Sequence, residues 1–320
     1  MHSQHSIATR FGIASTASEV VTGLDLNGTT AVITGGYSGL GLEATRALAG
    51  AGAAVIVPAR DRLKAERNLA DLPNVSIVDL DLTDSGQIAA FGAGLVASGR
   101  PVSMLINSAG VMATPLWRNA EGHEGQFAIN HLGHFRLTAA VWPALVRANG
   151  ARVVSVSSRA HQAGGIDFED IHFLRRAYDS VLAYGQAKTA NALFAVELDR
   201  RGRDVGVRAF SLHPGQILTD IVRHLTPEHL ARFDAYDELG NLRIDPANGR
   251  KTPEQGAATM VWAAVSSELD GLGGYYLEDF DVAQLYSGEL GSKGVASWAI
   301  DPDVARRLWD VSVSMTGAFA

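Results

Sequence analysis

Short apolar runs recur along the chain at intervals that leave room for one helix between each pair. Thr30–Ile33, Ala53–Val57, Val75–Val78, Met104–Ile106, Val153–Val156 and Val207–Leu212 are rich in Val, Ile, Leu and Ala, the pattern of strands covered on both faces. Between them, helical spacing predicts helices over Leu42–Ala49, Asp61–Ala70, Ser85–Ala97, Gln126–Ala148 and Tyr184–Asp199. Parallel strands need crossover helices, so this alternation predicts an α/β fold with one doubly wound parallel sheet. Gly274–Leu277 supplies a candidate seventh strand.

The rhythm sets the expected boundaries. Residues 29–279 form one domain, preceded by an extension over 1–28 and followed by another over 280–320. In the first extension Thr16-Ala-Ser-Glu19 is a capping box for a short helix through Val21. In the last, the run from Asp301 to Trp309 reads as a capped helix whose apolar face packs on the body. Residues 216–253 break the alternation with mixed charge and two turn signals, Glu238-Leu-Gly-Asn241 and Pro246-Ala-Asn-Gly249. That segment suits a lid or substrate loop, and a tolerated surface insertion equally well.

Composition narrows the classes. A chain of 320 residues with 47% hydrophobic residues can bury a large core, and a net charge of −7 argues against nucleic acid as a partner. With no cysteine, disulfides and thiolate chemistry are excluded. The start, Met1-His-Ser-Gln-His-Ser, lacks the basic and apolar regions of a secretory signal, and no apolar run is long enough to span a bilayer. The expectation is a soluble, unprocessed, cytoplasmic protein. His131/His134 and His2/His5 have helical spacing but no neighbouring ligands, so no metal site is expected.

Two features carry chemistry. Tyr184 and Lys188 stand four apart in a predicted helix and share a face, where an ammonium favours the phenolate and suits the phenol for acid/base work. Far upstream, Thr34-Gly35-Gly36-Tyr37-Ser38-Gly39-Leu40-Gly41 joins a buried strand to a helix, the context a phosphate cradle requires. Gly35 permits a tight turn, Gly39 a close backbone approach to a pyrophosphate, and Gly41 close packing of helix on sheet. The spacing differs from Gly-x-Gly-x-x-Gly.

Together these features resemble the short-chain dehydrogenase/reductase family, in its Thr-Gly-x-x-x-Gly-x-Gly and Tyr-x-x-x-Lys form. The likeness spans roughly residues 28 to 220, in family order. Asn107-Ser108-Ala109-Gly110 resembles the Asn-Asn-Ala-Gly element, departing at Ser108; Arg152–Ser158 resembles the strand ending at a catalytic serine; and the loop from His213 to Thr219 resembles the one beside the nicotinamide. The resemblance implies a Rossmann-type domain with Asn130, Ser158, Tyr184 and Lys188 as the catalytic set, Ser158 preferred to Ser157. For the cofactor it implies Gly35, Tyr37, Ser38, Gly39, Leu40 and Gly41 in the glycine loop, then Asp81 and Leu82 at the adenine. Asn107, Ala109 and Gly110 follow, and Pro214, Gly215, Ile217 and Thr219 complete the set with Tyr184 and Lys188.

Cofactor choice is expected at the end of the second strand. Ala59 stands where an NAD enzyme places an acid, and Arg60 beside it suits the extra phosphate of NADP; Asp61 reads as the cap of the next helix. The expected cofactor is therefore NADP(H). Ser158-Arg-Ala-His161, Gly164–Tyr178 and Asn130–Phe135 most resemble the retinol dehydrogenase-like branch, which implies hydride transfer with a lipophilic carbonyl or alcohol. Phe168, Ile171 and Phe173 would line a pocket or form a packed loop core, and His161 reads as a structural hydrogen-bonding residue. A catalytically silent dinucleotide sensor is the alternative. The resemblance also implies pairing as a homodimer or homotetramer through the helices near Gln126–Ala148 and Tyr184–Asp199.

Overall fold

The computed structural model describes residues 6–226, 236, 241, 243–289 and 291–320. His2, His5 and most of the turn at Glu238-Leu-Gly-Asn241 lie outside them. The strands are β1 (Thr30–Thr34), β2 (Ala54–Ala59), β3 (Val75–Asp79), β4 (Met104–Asn107), β5 (Ala151–Val156), β6 (Val207–His213), β7 (Tyr276–Glu278) and β8 (Asp281–Val282). They form one sheet in the order β3-β2-β1-β4-β5-β6-β7-β8, parallel throughout except for β8, which runs antiparallel to β7. The chain winds outward from β1 to β3 and then resumes on the other side at β4, so a crevice opens beyond the carboxyl ends of β1 and β4.

The helices are α1 (Ala17–Val21), α2 (Gly39–Gly50), α3 (Arg62–Leu69), α4 (Ser85–Ala97), α5 (Gly125–Phe127), α6 (His134–Arg147), α7 (Ser180–Gly202), α8 (Pro253–Val265) and α9 (Pro302–Thr316). Strand side chains alternate between the faces: Ala31 and Ile33 join a core with α2 and α8, while Val32 joins one with α4, α6 and α7. Strands β1, β2, β4, β5 and β6 are thereby buried on both sides, which explains their near-continuous apolar runs, while β3 at the sheet edge has no buried residue.

Several boundaries differ from the sequence reading. The helix expected over Gln126–Ala148 is interrupted by a π-helical stretch at Ala128–Gly133, an i→i+5 widening that no composition signal announces. Helix α7 begins four residues before Tyr184, capped by the Asp179 carboxylate on the N–H groups of Val181 and Leu182. Helix α8 was not expected at all, although Thr252 and Gln255 form a capping box with Pro253 at the first turn. Its Ala257–Ala264 stretch is buried all round, so the amphipathic period that announces a surface helix is missing.

Both ends fold back on the body. Ile7 N–H and Ser6 Oγ donate to Asp281, Phe11 stacks on Phe280 at 5.4 Å, and the Thr16/Glu19 capping box forms at α1. Helix α9 lies along α7, with Trp309 stacked on Phe194 at 6.1 Å and Arg201 4.5 Å above the Trp309 ring. Among the described residues no helix is long and apolar enough to cross a membrane.

Candidate active site

The crevice beyond β1 and β4 deepens into a cavity of about 1220 Å³, larger than a pocket for one small molecule. Its lining begins with the turn after β1. Gly35 and Gly39 have φ of +68° and +51°, conformations that side chains rarely adopt. A Cβ on Gly35 would sit 3.0 Å from Ala109 Cα, and one on Gly41 only 2.4 Å from the Gly35 carbonyl oxygen. The turn is thus folded so tightly that α2 starts against its own entry strand. Ser38 caps α2 without a side-chain hydrogen bond, which leaves the first-turn N–H groups for an anion.

Thr34, at the end of β1, ties this turn to the segment after β4. Its Oγ1 accepts the N–H groups of Ser108 and Ala109 at 3.0 and 3.1 Å and lies 2.9 Å from His134 Nε2, whose Nδ1 is 3.0 Å from the Asn130 carbonyl. The Asn130 carbonyl can only accept, so His134 Nδ1 carries the hydrogen and the bare Nε2 of the neutral ring accepts from Thr34 Oγ1, for which the Ile106 carbonyl at 3.4 Å is the longer alternative. Sequence reasoning passed over this role for His134, and the threonine that opens the glycine motif was its only signal. His131 donates or accepts with Ser312 Oγ at 2.7 Å; both histidines are buried, and desolvation holds them neutral, down to about 3 for His131 and about 4 for His134.

Most of the residues named from the sequence meet on the cavity wall. Gly35, Tyr37, Ser38, Gly39, Leu40, Gly41, Arg60, Asp81, Leu82, Ala109, Gly110, Ser158, Tyr184, Lys188, Pro214, Gly215, Ile217 and Thr219 all line it. Asn107 and Asn130 stand behind it. Asn107 donates to Thr138 Oγ1 at 3.4 Å, and the Asn130 amide is committed twice to Val111, accepting its N–H and donating to its carbonyl, both at 2.9 Å. Asn130 Oδ1 would be 3.1 Å, and Lys188 Nζ 3.8 Å, from a Cβ on Gly110, so the three groups are neighbours.

Ser158 and Ser157 separate cleanly. Ser157 donates to the Lys188 carbonyl at 2.7 Å and is buried, whereas Ser158 lines the cavity, caps the next turn through Ala160 N–H and hydrogen-bonds the Tyr184 phenol. Burial acts on the Tyr184–Lys188 pair in opposite directions. It pushes the phenol up to about 12, against a smaller downward pull from Ser158, and the ammonium down to about 7. The lysine-driven lowering of the phenol expected from the sequence is outweighed here: Lys188 Nζ donates to the Val156 carbonyl at 2.8 Å and lies 5.6 Å from the phenol ring centre.

At the far end of the cavity Arg60 is exposed and makes no hydrogen bond or ion pair among the described residues, while Asp61 caps α3 through Lys64 N–H. Asp81 is turned to Thr83, accepting from its N–H and hydroxyl at 2.8 Å. The wall also includes the apolar Met112, Ala163, Val181, Leu218, Ile221 and Ile244, and Asp220 beside Ile221 reaches across to Lys64 of α3 at 2.7 Å. Parts of the 216–253 segment thus line the cavity. The pocket role considered for Phe168, Ile171 and Phe173 is not met: Ile171 and Phe173 are buried, Phe168 packs against the same core as Ile171, and none of the three lines the cavity.

The geometry defines a dinucleotide-type α/β protein with a tyrosine, a serine and a lysine converging at the carboxyl edge of its sheet. The family profile described as "short chain dehydrogenase" matches residues 29–230. A "Probable oxidoreductase" of Streptomyces antibioticus is 44% identical over 295 residues, covering 90% of this chain and 97% of that one. Human "Retinol dehydrogenase 11" is 36% identical, covering 92% and 87%. A crystal structure of a "putative uncharacterized protein" from Mycobacterium paratuberculosis superposes with a TM-score of 0.72 at 32% identity, covering 95% and 98%. The chain belongs to the short-chain dehydrogenase family: it is an oxidoreductase whose family binds a nicotinamide dinucleotide.

Proposed function

We propose that this protein is an NADP(H)-dependent oxidoreductase acting between a lipophilic carbonyl compound and its alcohol. The observation that carries the proposal is the Tyr184–Ser158 hydroxyl pair beside buried Lys188, on a cavity wall to which the substrate loop brings the apolar Leu218, Ile221, Leu225 and Ile244 among charged residues such as Asp220 and Arg223. A nicotinamide dinucleotide, whose phosphates the glycine turn would hold, would supply or remove the hydride. Tyr184 Oη–H gives its proton to the substrate oxygen as that oxygen gains charge, and takes it back in the reverse direction. Ser158 Oγ donates to the same oxygen and stabilises it. Lys188, as an ammonium, favours the phenolate that Tyr184 leaves behind. Asn130 clamps Val111 by two hydrogen bonds and so holds Gly110 beside Lys188.

The preference for NADP(H) rests on Arg60, an uncommitted guanidinium where Ala59 offers no carboxylate to a ribose. The lipophilic substrate rests on the apolar side chains of that wall and on the relative named a retinol dehydrogenase. The test is nucleotide oxidation by the purified protein against lipophilic ketones and aldehydes, with NADPH and NADH in parallel. Turnover with NADPH that drops about 10²–10⁴-fold in Tyr184→Phe is the expected result. Equal use of NADH would sink the Arg60 argument, and an unimpaired Tyr184→Phe would sink the acid.

A further inference from the structure

The turn that follows Ser158 is held from both sides, and one buried histidine joins the two. Residues Arg159–Ala163 form a single 3₁₀ turn directly after Ser158. On one side α7 reaches it through Thr189 Oγ1, which donates to the carbonyls of His161 and Gly164 at 3.2 and 2.8 Å. On the other side lies the chain after β8. Gln162 Nε2 donates to the carbonyls of Ser292 and Gly294, Gln162 Oε1 accepts Gly291 N–H, and Trp298 Nε1 donates to the His161 carbonyl at 3.1 Å. Four residues of the C-terminal region, Gly291, Ser292, Gly294 and Trp298, thus hold the turn that follows the proposed oxygen-binding serine.

His161 sits at the centre of this wrap and is fully buried. Its Nε2 receives the N–H of Ala296 at 3.0 Å, and its Nδ1 lies 2.5 Å from the Ser158 carbonyl and 3.2 Å from Tyr276 Oη. A backbone N–H can only donate and a backbone carbonyl can only accept. Nε2 must therefore be bare and Nδ1 must carry the hydrogen, so one tautomer satisfies both neighbours and the other satisfies neither. Tyr276 Oη is free to share the Nδ1 hydrogen because its own hydroxyl is engaged with Ser157.

We infer that His161 is a positioning residue for Ser158: Ala296 N–H fixes the imidazole tautomer, and the Nδ1 hydrogen then locks the Ser158 peptide so that Oγ faces the Tyr184 phenol. The inference deepens the functional reading above and rests on it. It also gives the C-terminal region a task in the reaction without a single side chain touching substrate. The Ser158 carbonyl also accepts the His161 backbone N–H at 3.1 Å, so the imidazole is its second donor; with that donor gone the peptide is held by one bond, and any shift of the Ser158 Cα carries Oγ with it. Misplacement of a reacting group by about an ångström is enough to cost on the order of a hundredfold in rate.

Two substitutions divide the ring's duties. The Asn amide nitrogen can stand in for Nδ1–H, and the Gln amide oxygen for the accepting Nε2. In the nucleotide-oxidation assay His161→Gln is expected to lower kcat about ten- to a hundredfold, and His161→Asn to stay within about threefold of the wild type. KM for the nucleotide should be unchanged in both, and thermal unfolding should shift equally. Equal losses of kcat in the two variants, or a kcat loss that tracks only the unfolding temperature, would overturn the role. The ¹⁵N NMR spectrum of histidine-labelled protein reads the tautomer without any substrate: a protonated Nδ1 at His161 supports the inference, and a protonated Nε2 overturns it. If Tyr184→Phe turns over as fast as the wild type, the functional reading fails instead, while the NMR result still decides the tautomer.

Discussion

Gly41→Ala is the sharpest structural test of how the glycine turn is built. Gly41 sits in the first turn of α2, and an ideal Cβ there meets the Gly35 carbonyl oxygen at 2.4 Å, the Gly35 carbonyl carbon at 2.8 Å and Gly36 N at 3.1 Å. All three are backbone atoms, so no rotamer change relieves the overlap. The helix must retreat by more than half an ångström from β1, against a face on which Ala44, Ala47 and Leu48 are buried. Such overpacking costs about 1–3 kcal/mol. For a chain of this size that lowers the melting temperature by about 1.5–4.5 °C. Gly50, at the other end of the same helix, has nothing within 4 Å of its hypothetical Cβ, so Gly50→Ala should be neutral or stabilise by up to about 1 kcal/mol. Differential scanning calorimetry of the two variants, with NADPH affinity measured by fluorescence titration, gives a comparison within one helix. If Gly41→Ala melts with the wild type and binds the nucleotide as tightly, the argument from close approach is wrong.

Three further outcomes are expected. Arg60→Ala should raise KM for NADPH by about ten- to a hundredfold, the worth of hydrogen bonds to a charged phosphate, and leave KM for NADH nearly unchanged; parallel shifts for both nucleotides would refute it. His131, His134 and His161 are held neutral by burial, down to about 3, 4 and 4, so the unfolded chain binds more protons than the folded one below its own pKa near 6.5. Stability present above pH ~6.5 should therefore fall toward pH ~4, by about 1.4 kcal/mol per pH unit for each histidine, and urea unfolding that is flat over this window would contradict the burial argument. Lys188, depressed from 10.5 to about 7, acts in the same direction at higher pH: between these values only the unfolded state holds the proton, so stability rises with pH, and Lys188→Met should flatten that rise in denaturant titrations without nucleotide.

What the sequence made legible followed from burial on two faces. The apolar runs at β1, β2, β4, β5 and β6 stand where sheet residues are covered by helices on both sides, and each was found within a residue or two of its bounds. β7 was displaced by two residues because Gly274 and Tyr275 lead into it without pairing as strand, and the two residues of β8 are too few to leave a pattern. Helix α8 was lost because a helix buried all round has no polar stripe. At the site, motif spacing brought Ser158, Tyr184, Lys188 and the glycine turn together, since each lies at a strand end or on one helix beside the sheet's carboxyl edge. It could not show that burial outweighs Lys188 in setting the phenol, nor that Asn130 is occupied by Val111. Those depend on desolvation and on partners distant in sequence.

Helix α9 has one more consequence. The resemblance to the family assigns subunit pairing to the helices that include α7, and on this chain α9 lies along α7 with Leu308 and Trp309 buried and Phe319 packed against Phe135 and Trp309. The apolar surface is thus covered by a segment tethered to the same molecule, at a local concentration that dilution cannot change. For this face, folding is first order: its stability should be the same in a dilute cell extract as at crystallographic concentration, where an enzyme that borrows the cover from a second copy would lose it.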